Sequence, residues 1–365
     1  MRILVVTRFD AQKKPGGDVN LLTELGELLL MGSEKEFTVE YHVGVPSKIV
    51  VRNFDAVLAA NIDRPVEAYL TLKLCLECEV KFYLYTLHHP QCGIESYLKI
   101  GTFGIKKIIA FISSYKADIY EDVLWFVKVI KSYISGPRLI FRSSKKCQKY
   151  LLELSSGILV VSKGELKTIN DDLFEVKSPI YEVPHPISRI KTSTLKKTKE
   201  KNKIVCPGRI EARKNQKFML EVAKVCPDLE FTFIGGASPS EPDYYVDFEK
   251  KVKGLNNVNH ISSLPKDDFY EELSSYQTVF TASWFEVTSL IELYSLSNGI
   301  KLVSSGMSYN SSFFSSELNY KLGDIFSAKE ILTSAVCTDT DTDTDYPTNE
   351  EISLYLVRDV FKGGD

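Results

Sequence analysis

The chain has 365 residues, 44% hydrophobic and 25% charged, with a formal net charge of −3. These are ordinary values for a soluble globular protein and give nucleic acid no support as a general partner. The length exceeds a single hydrophobic core, so two domains are expected; no apolar run approaches the roughly 20 residues that span a bilayer, and Met1-Arg2 runs straight into a short strand without a signal pattern, so the expected location is cytoplasmic.

In chain order, an apolar strand at 3–6 ends in Thr7-Arg8-Phe9-Asp10 and leads through Pro15-Gly16-Gly17-Asp18 into a helix with Leu21, Leu22, Leu25, Leu28 and Leu29 on one face. Strand, glycine loop and helix form a ligand-facing crevice in doubly wound sheets, although turns use paired glycines constantly. A second strand at 54–60 ends in Asn61-Ile62-Asp63-Arg64-Pro65. The helical run from Val66 holds Cys75-Leu76-Glu77-Cys78, which lacks a second cysteine pair for zinc; with seven cysteines in all, reduced thiols are expected. A third strand at 83–87 ends in His88-His89-Pro90. Neighbours leaving a strand point opposite ways, so one histidine lines the ligand side, and the proline turn favours His89. No Ser-His-Asp arrangement is discernible. From 101 to 134, Ile105, Ile108, Ile109, Phe111 and Ile112 mix with Lys106 and Lys107, and a later apolar run includes Lys128 and Lys131. Two readings stay open for this region: core helices, or helices resting on an anionic membrane.

The stretch 189–203 is basic, polar and without apolar periodicity, as in an exposed linker, and a new βαβ series begins at Lys203. The strand at 204–206 runs into Pro207-Gly208-Arg209-Ile210-Glu211-Ala212-Arg213-Lys214-Asn215-Gln216. Arg209 and Lys214 flank this loop, so a planar fork and a point charge can converge on one polyanion; a solvated basic loop is the alternative. Arg213 is expected to point elsewhere. A strand at 231–234 ends in Gly235-Gly236, which allows close backbone approach to a ligand or a plain turn. Past the strand at 278–280, Glu286 is followed by Thr288, Ser289 and Leu290, which can open a helix whose free N–H groups face a phosphate; an ordinary acidic first turn would look the same. Thr338 to Asp345 alternate Thr and Asp, superficially like a metal motif. No strand leads into them and no glycine makes a calcium-loop turn, so a solvated spacer and no metal are expected, followed by a short terminal helix.

In this order and spacing, Arg209-to-Lys214, Gly235-Gly236 and Glu286-to-Gly299 resemble the donor half of retaining GT-B glycosyltransferases, the surface-polysaccharide branch of the family-4-like, group 1 type. The Gly16-Gly17-Asp18 loop resembles the same branch. The resemblance implies two doubly wound, Rossmann-like parallel-sheet domains facing a central cleft. The expected divisions are 1–188 for the acceptor side, 189–203 for the linker, 204–337 for the donor domain, 338–348 for the spacer and 349–365 for a terminal helix that crosses back onto the first domain.

It also implies roles. Arg209 and Lys214, with the helix opening at Thr288, Ser289 and Leu290, would bind a donor diphosphate, and Glu286 would contact the donor sugar. His88 or His89 would face that sugar, Gly235 and Gly236 would adjoin the nucleotide, and Gly16, Gly17 and Asp18 would border the acceptor. The family's second glutamate, which holds the ribose, lies eight positions after the first; an ungapped alignment puts Tyr294 there. Glu292 is two residues earlier, about 200° away round a helix. The implied partners are a nucleotide-diphosphate sugar, which is a substrate and not a cofactor, and a glycan or lipid-linked glycan acceptor. Peripheral contact with the inner face of an anionic membrane would suit such an enzyme. The rival functions are a catalytically degenerate binding subunit and a nucleotide-sugar epimerase of the same fold.

Overall fold

The computed structural model of the protein describes residues 1–12, 16–33, 36–134, 142–187, 200–314, 318–337 and 346–363. Pro15, most of the expected linker and the whole Asp/Thr repeat lie outside the described residues. The chain forms two compact units: Met1–Gln91, Gly104–Pro186 and Pro347–Asp365 make the first, and Cys92–Phe103 with Ile187–Tyr346 make the second.

The first unit is built on a six-stranded parallel sheet in the order β2-β1-β3-β4-β5-β6. Its strands are β1 (Arg2–Thr7), β2 (Thr38–Val43), β3 (Ala56–Ala60), β4 (Lys81–Tyr85), β5 (Gly157–Val160) and β6 (Ile180–Glu182). Helices cover both faces, which is why the central strands read as continuous apolar runs and not as alternating ones. Leu4, Val6, Val57, Ala59, Leu84 and Ile158 bury one face with Leu72, Leu151 and Ile169 from three helices. The helix Gly17–Gly32 buries Leu21, Leu22, Leu25, Leu28 and Leu29, the stripe its spacing implies.

The last helix, Asn349–Tyr355, opens on a capping box from Thr348 and Glu351 and continues as a wider π-type turn, Leu356–Phe361. It belongs to the first unit. Ser353 donates to the Leu28 carbonyl, and the Phe361 ring packs against those of Phe37 and Tyr83.

The second unit has a second parallel sheet, in the order β12-β11-β10-β7-β8-β9. These strands are β7 (Glu200–Pro207), β8 (Glu230–Ile234), β9 (Val258–Ile261), β10 (Tyr276–Phe280), β11 (Lys301–Ser304) and β12 (Leu318–Asn319). β7 starts at Glu200, inside the stretch read from sequence as linker. Phe231, Phe233, Phe248 and Phe280 are fully buried in this unit. A segment from the first half of the sequence also belongs to it: Tyr97 packs edge-on against Phe285, with ring centres 5.7 Å apart.

In each sheet the strand order reverses once: between β1 and β3 in the first, and between β7 and β10 in the second. Ligands of doubly wound sheets bind at the carboxyl ends of the strands beside such a reversal. The loops after β7 and β10 carry the charged residues singled out in the sequence.

Candidate active site

In the second unit, β7 ends at Pro207 and the chain makes a three-residue turn, Ala212–Lys214, closed by Asn215 in the left-handed region (φ 58°) before the helix Gln216–Val225. The Trp284 N–H donates to the Arg213 carbonyl at 3.0 Å, joining this loop to the one after β10. The Glu286 N–H donates to the Met307 carbonyl at 2.7 Å, and the Tyr309 N–H to the Val287 carbonyl at 3.0 Å. Three loops at one sheet edge are thus laced together by their backbones, and Glu286 is held at the centre.

Glu286 is buried, and both carboxylate oxygens are engaged: Lys214 Nζ pairs with Oε1, and Arg213 donates to Oε2 at 2.8 Å. Arg213 also donates to the Phe285 carbonyl at 3.3 Å and to Glu211 at 3.2 Å. Burial alone would raise the Glu286 pKa; the charges of Arg213 and Lys214 override it and hold the carboxyl well below the usual carboxylate range. The expectation that Arg213 points elsewhere is therefore corrected. A turn of three residues lets adjacent side chains converge on one carboxylate, and Arg213 is the better placed of the loop's two arginines. Arg209 is more than half exposed and pairs with Glu211 at 3.3 Å.

The helix opening stands at Leu290, with Ser289 as its cap: the Ser289 hydroxyl accepts from the Glu292 N–H at 3.5 Å. Ser289 is buried and Leu290 exposed. Glu292 is buried too. Its Oε1 accepts from the Thr281 hydroxyl at 2.8 Å, and its Oε2 from the Ser308 hydroxyl at 2.7 Å and the Asn310 amide at 3.2 Å. Burial raises its pKa, the nearby Glu286 charge adds to this, and the hydroxyl donors and Lys214 oppose it. Glu292 thus ties the loop after β11 to the loop after β10 from a position next to the Glu286 cluster.

Tyr294 is placed differently. It is 2% exposed among Leu273, Val279 and Leu293, packs at a tilt against the Tyr270 ring and donates to the Tyr270 carbonyl at 3.2 Å. It faces the core of the second unit, so the ungapped alignment does not bring it to the charged cluster. Gly235 also has a reason the sequence left open. A Cβ there would collide with the Gly208 carbonyl, because the Gly208 N–H donates to Ile234 and the Ile210 N–H to Gly236, zipping the two loops together.

In the first unit, Gly16 and Gly17 open the helix Gly17–Gly32, and Asp18 accepts from Arg8 at 2.8 Å. Arg8 also pairs with Asp10. An open cavity at the β1/β3 reversal is lined by Arg8, Asp18, Asn61, Arg64 and Glu67. His88 is clamped by Asp63 (Nδ1, 2.6 Å) and Asp172 (Nε2, 3.2 Å) and is 1% exposed. Burial would lower its pKa, but the two carboxylates raise it to about 10. His89 keeps 27% of its side chain exposed, with Nδ1 2.8 Å from the other Asp63 oxygen. His88 is the buried partner of a carboxylate pair; His89 is the one that reaches the surface.

Sequence reasoning missed Glu211, Arg213, Ser308 and Asn310 in the second unit and Asp172 in the first. For Glu211 and Arg213 a signal existed: opposite charges two apart in a loop already holding two cations. Asp172, Ser308 and Asn310 come from distant loops and carry no local signal. Among the described residues no group of three or more His, Cys, Asp or Glu side chains is arranged so that it could hold a metal ion.

No protein-family model matches the sequence, and no curated protein does. Solved structures do resemble it. Alr3699/HepE of Anabaena in complex with UDP has a TM-score of 0.63 at 12% identity, covering 99% of this chain and 96% of that one. Sucrose-phosphate synthase of Thermosynechococcus elongatus also has a TM-score of 0.63, at 11% identity, covering 99% and 94%. The lipopolysaccharide outer core galactosyltransferase WaaB, in its apo form, has 0.60 at 12% identity, covering 99% and 96%. At these identities the likeness establishes the fold. The chain has the GT-B architecture of glycosyltransferases: two Rossmann-like units, each with a parallel six-stranded sheet.

Proposed function

We propose that the protein is a glycosyltransferase that moves a sugar from a nucleoside-diphosphate donor to a glycan or lipid-linked glycan, with retention at the anomeric carbon. The observation that carries this reading is the junction of Glu286 with Lys214 and Arg213 at the β7/β10 reversal. There a carboxylate for sugar hydroxyls lies against cations for a diphosphate. UDP in the HepE complex supports a uridine nucleotide as the first to try.

In this reading the arriving diphosphate takes Lys214 from Glu286 and also engages Arg209, while Arg213 keeps the freed carboxylate paired and ionised. Charge that builds on the leaving diphosphate is met by these side chains and by the helix opening at Ser289, so the reaction needs no metal. Glu286 then accepts from the sugar hydroxyls. The acceptor enters over Gly16, Gly17 and Asp18, with His89 nearby on the same unit. The proposed location is the cytoplasm, at the inner face of the membrane.

Tyr294 favours one other reading, a binding subunit without turnover, since the residue aligned with the family's ribose glutamate is locked in the core. A panel of UDP- and GDP-sugars with readout of free nucleotide decides between them. Slow donor hydrolysis supports the transferase, a new sugar on the nucleotide would indicate an epimerase, and binding without turnover would indicate the subunit.

A further inference from the structure

The helices Gly104–Ile112 and Ala117–Ile134 of the first unit are not plain core helices. Ile105, Ile108, Phe111 and Ile112 on the first, and Ile119, Phe126 and Ile130 on the second, are exposed, so the core-helix reading fails for these stripes. Glu121, Trp125 and Lys128 stand on the opposite face of the second helix, at the four- and three-residue steps that align side chains. They wall a cavity together with Glu67 of the helix Pro65–Cys78 and with Arg64, which precedes that helix. Lys128, which the sequence groups with Lys131 in a run that could rest on a membrane, therefore belongs to an internal site. Arg8, Arg64 and Glu67 also line the open cavity at the β1/β3 reversal, so the two spaces adjoin.

Three of the charges lining this site are matched within the protein. Arg8 is held by Asp10 and, at 2.8 Å, by Asp18, and Asp63 is held by His88 and His89. Arg64, Lys128, Glu67 and Glu121 line the same space and, among the described residues, none of them is in an ion pair. Glu67 uses one oxygen on the Phe9 N–H, at 2.8 Å, and the Lys128 ammonium lies 5.8 Å from the centre of the Trp125 ring. Burial lowers the Lys128 pKa and the Arg64 charge lowers it further, while burial raises those of Glu67 and Glu121. Two cations and two carboxylates thus share one space with their charges uncompensated, at a cost that a ligand of matching chemistry removes.

We propose that this cavity recognises an acidic sugar of the glycan acceptor, seating its carboxylate or phosphate between Arg64 and Lys128 while its hydroxyls donate to Glu67 and Glu121. A guanidinium fork and an ammonium suit one oxyanion, and ionised carboxylates accept from hydroxyls. The same two carboxylates oppose a polyanion such as a diphosphate, which keeps the donor's chemistry out of this space. The inference rests on reading the first unit as the acceptor side.

The full chain, without nucleotide, is titrated by calorimetry with methyl glucuronide, glucose 6-phosphate, methyl glucoside and inorganic phosphate. At least one of the two acidic sugars should bind about tenfold or more tightly than the neutral glucoside, the worth of a charge-assisted contact, and its identity tells carboxylate from phosphate. Arg64→Gln and Lys128→Gln should each erase that preference without lowering the melting temperature, since neither side chain holds an ion pair. Acidic sugars that bind no better than the glucoside would overturn the proposal. So would inorganic phosphate binding as tightly as either acidic sugar, which means an ion site only, or a preference that survives Arg64→Gln combined with Lys128→Gln. Hydrolysis of UDP-sugars is measured on the same wild-type sample. Hydrolysis without an acid preference sinks this inference alone, whereas an acid preference without hydrolysis leaves the site standing and removes the transferase.

Discussion

Arg213 holds the Glu286 carboxylate at 2.8 Å while its neighbour Lys214 holds the other oxygen, so a single turn of the chain neutralises one buried acid from two sides. The two cations are not equivalent. Arg213 is tied as well to Glu211 and to the Phe285 carbonyl, whereas among the described residues Lys214 Nζ meets Glu286 alone. Arg213 is the fixed partner, and Lys214 the one a competing anion can draw away.

Arg213→Met should therefore destabilise the protein by about 1–3 kcal/mol, since a buried carboxylate loses one of its two counter-charges. Donor turnover should fall with it. Thermal melting and single-turnover kinetics would check this; a variant with wild-type stability and rate would return Arg213 to the role of a solvated bystander.

Lys214→Ala and Arg209→Ala should each weaken nucleoside-diphosphate binding by about 2 kcal/mol, the worth of a charge-assisted bond in a partly desolvated site. Calorimetry with UDP and GDP measures it. Small, equal losses at both positions would reduce the loop to surface charge.

Glu286→Gln separates sugar from phosphate. Turnover should drop sharply because the contact is with the transferred group. Affinity for the bare diphosphate should hold or rise, because the carboxylate that competes for Lys214 is gone. Weaker UDP binding in this variant would contradict the assignment.

Tyr294→Glu should cost about 3 kcal/mol or more, as it buries a carboxylate among Leu273, Val279 and Leu293. Glu292→Ala strands the donors of Thr281, Ser308 and Asn310, loosens the loop that holds the Glu286 backbone, and should lower both melting temperature and turnover. Urea unfolding of the two variants tests the pair of effects; a Tyr294→Glu protein of full stability would restore the ungapped alignment.

His88 sets an alkaline limit. Its folded pKa, about 10, lies above the ordinary 6.5, so its stabilisation is complete below pH 6.5 and is lost as pH rises through about 10. Melting temperature should fall over that interval. Asp172→Asn removes one raising carboxylate and should move the fall to lower pH; a wild-type curve flat from pH 6.5 to 10 would rule the clamp out.

The architecture was readable because its strands are apolar runs ending in polar residues, and because five leucines in Gly17–Gly32 share a face. Lys214 and Glu286, each following a strand, could be brought together by the resemblance of their motifs to a family's, whereas Arg209, named with them, stands apart on Glu211. The role of Arg213 could not be read, because periodicity says nothing about which way side chains leave a three-residue turn. The place of Tyr294 was hidden for a different reason. Alignment counts positions, whereas the burial of Leu293, Tyr294 and Leu296 decides which side of the helix faces the core. The helix Gly104–Ile112 shows a further limit: an amphipathic pattern reveals a face but not its direction.

The terminal helix has a consequence for how the protein is made. Asn349–Phe361 supplies a wall of the first unit, yet the ribosome delivers it only after the whole second unit. A nascent chain emerges from its N-terminus, and contacts between distant residues close slowly. Phe37, Tyr83 and the leucines of Gly17–Gly32 must then wait for Phe361 with an apolar seat uncovered while the second unit is synthesised. Residues 92–103, meanwhile, leave the ribosome long before the unit they join. Neither unit is an uninterrupted stretch of the gene, so an arrest of translation before residue 346 would leave both the early strands and the late ones without a complete fold.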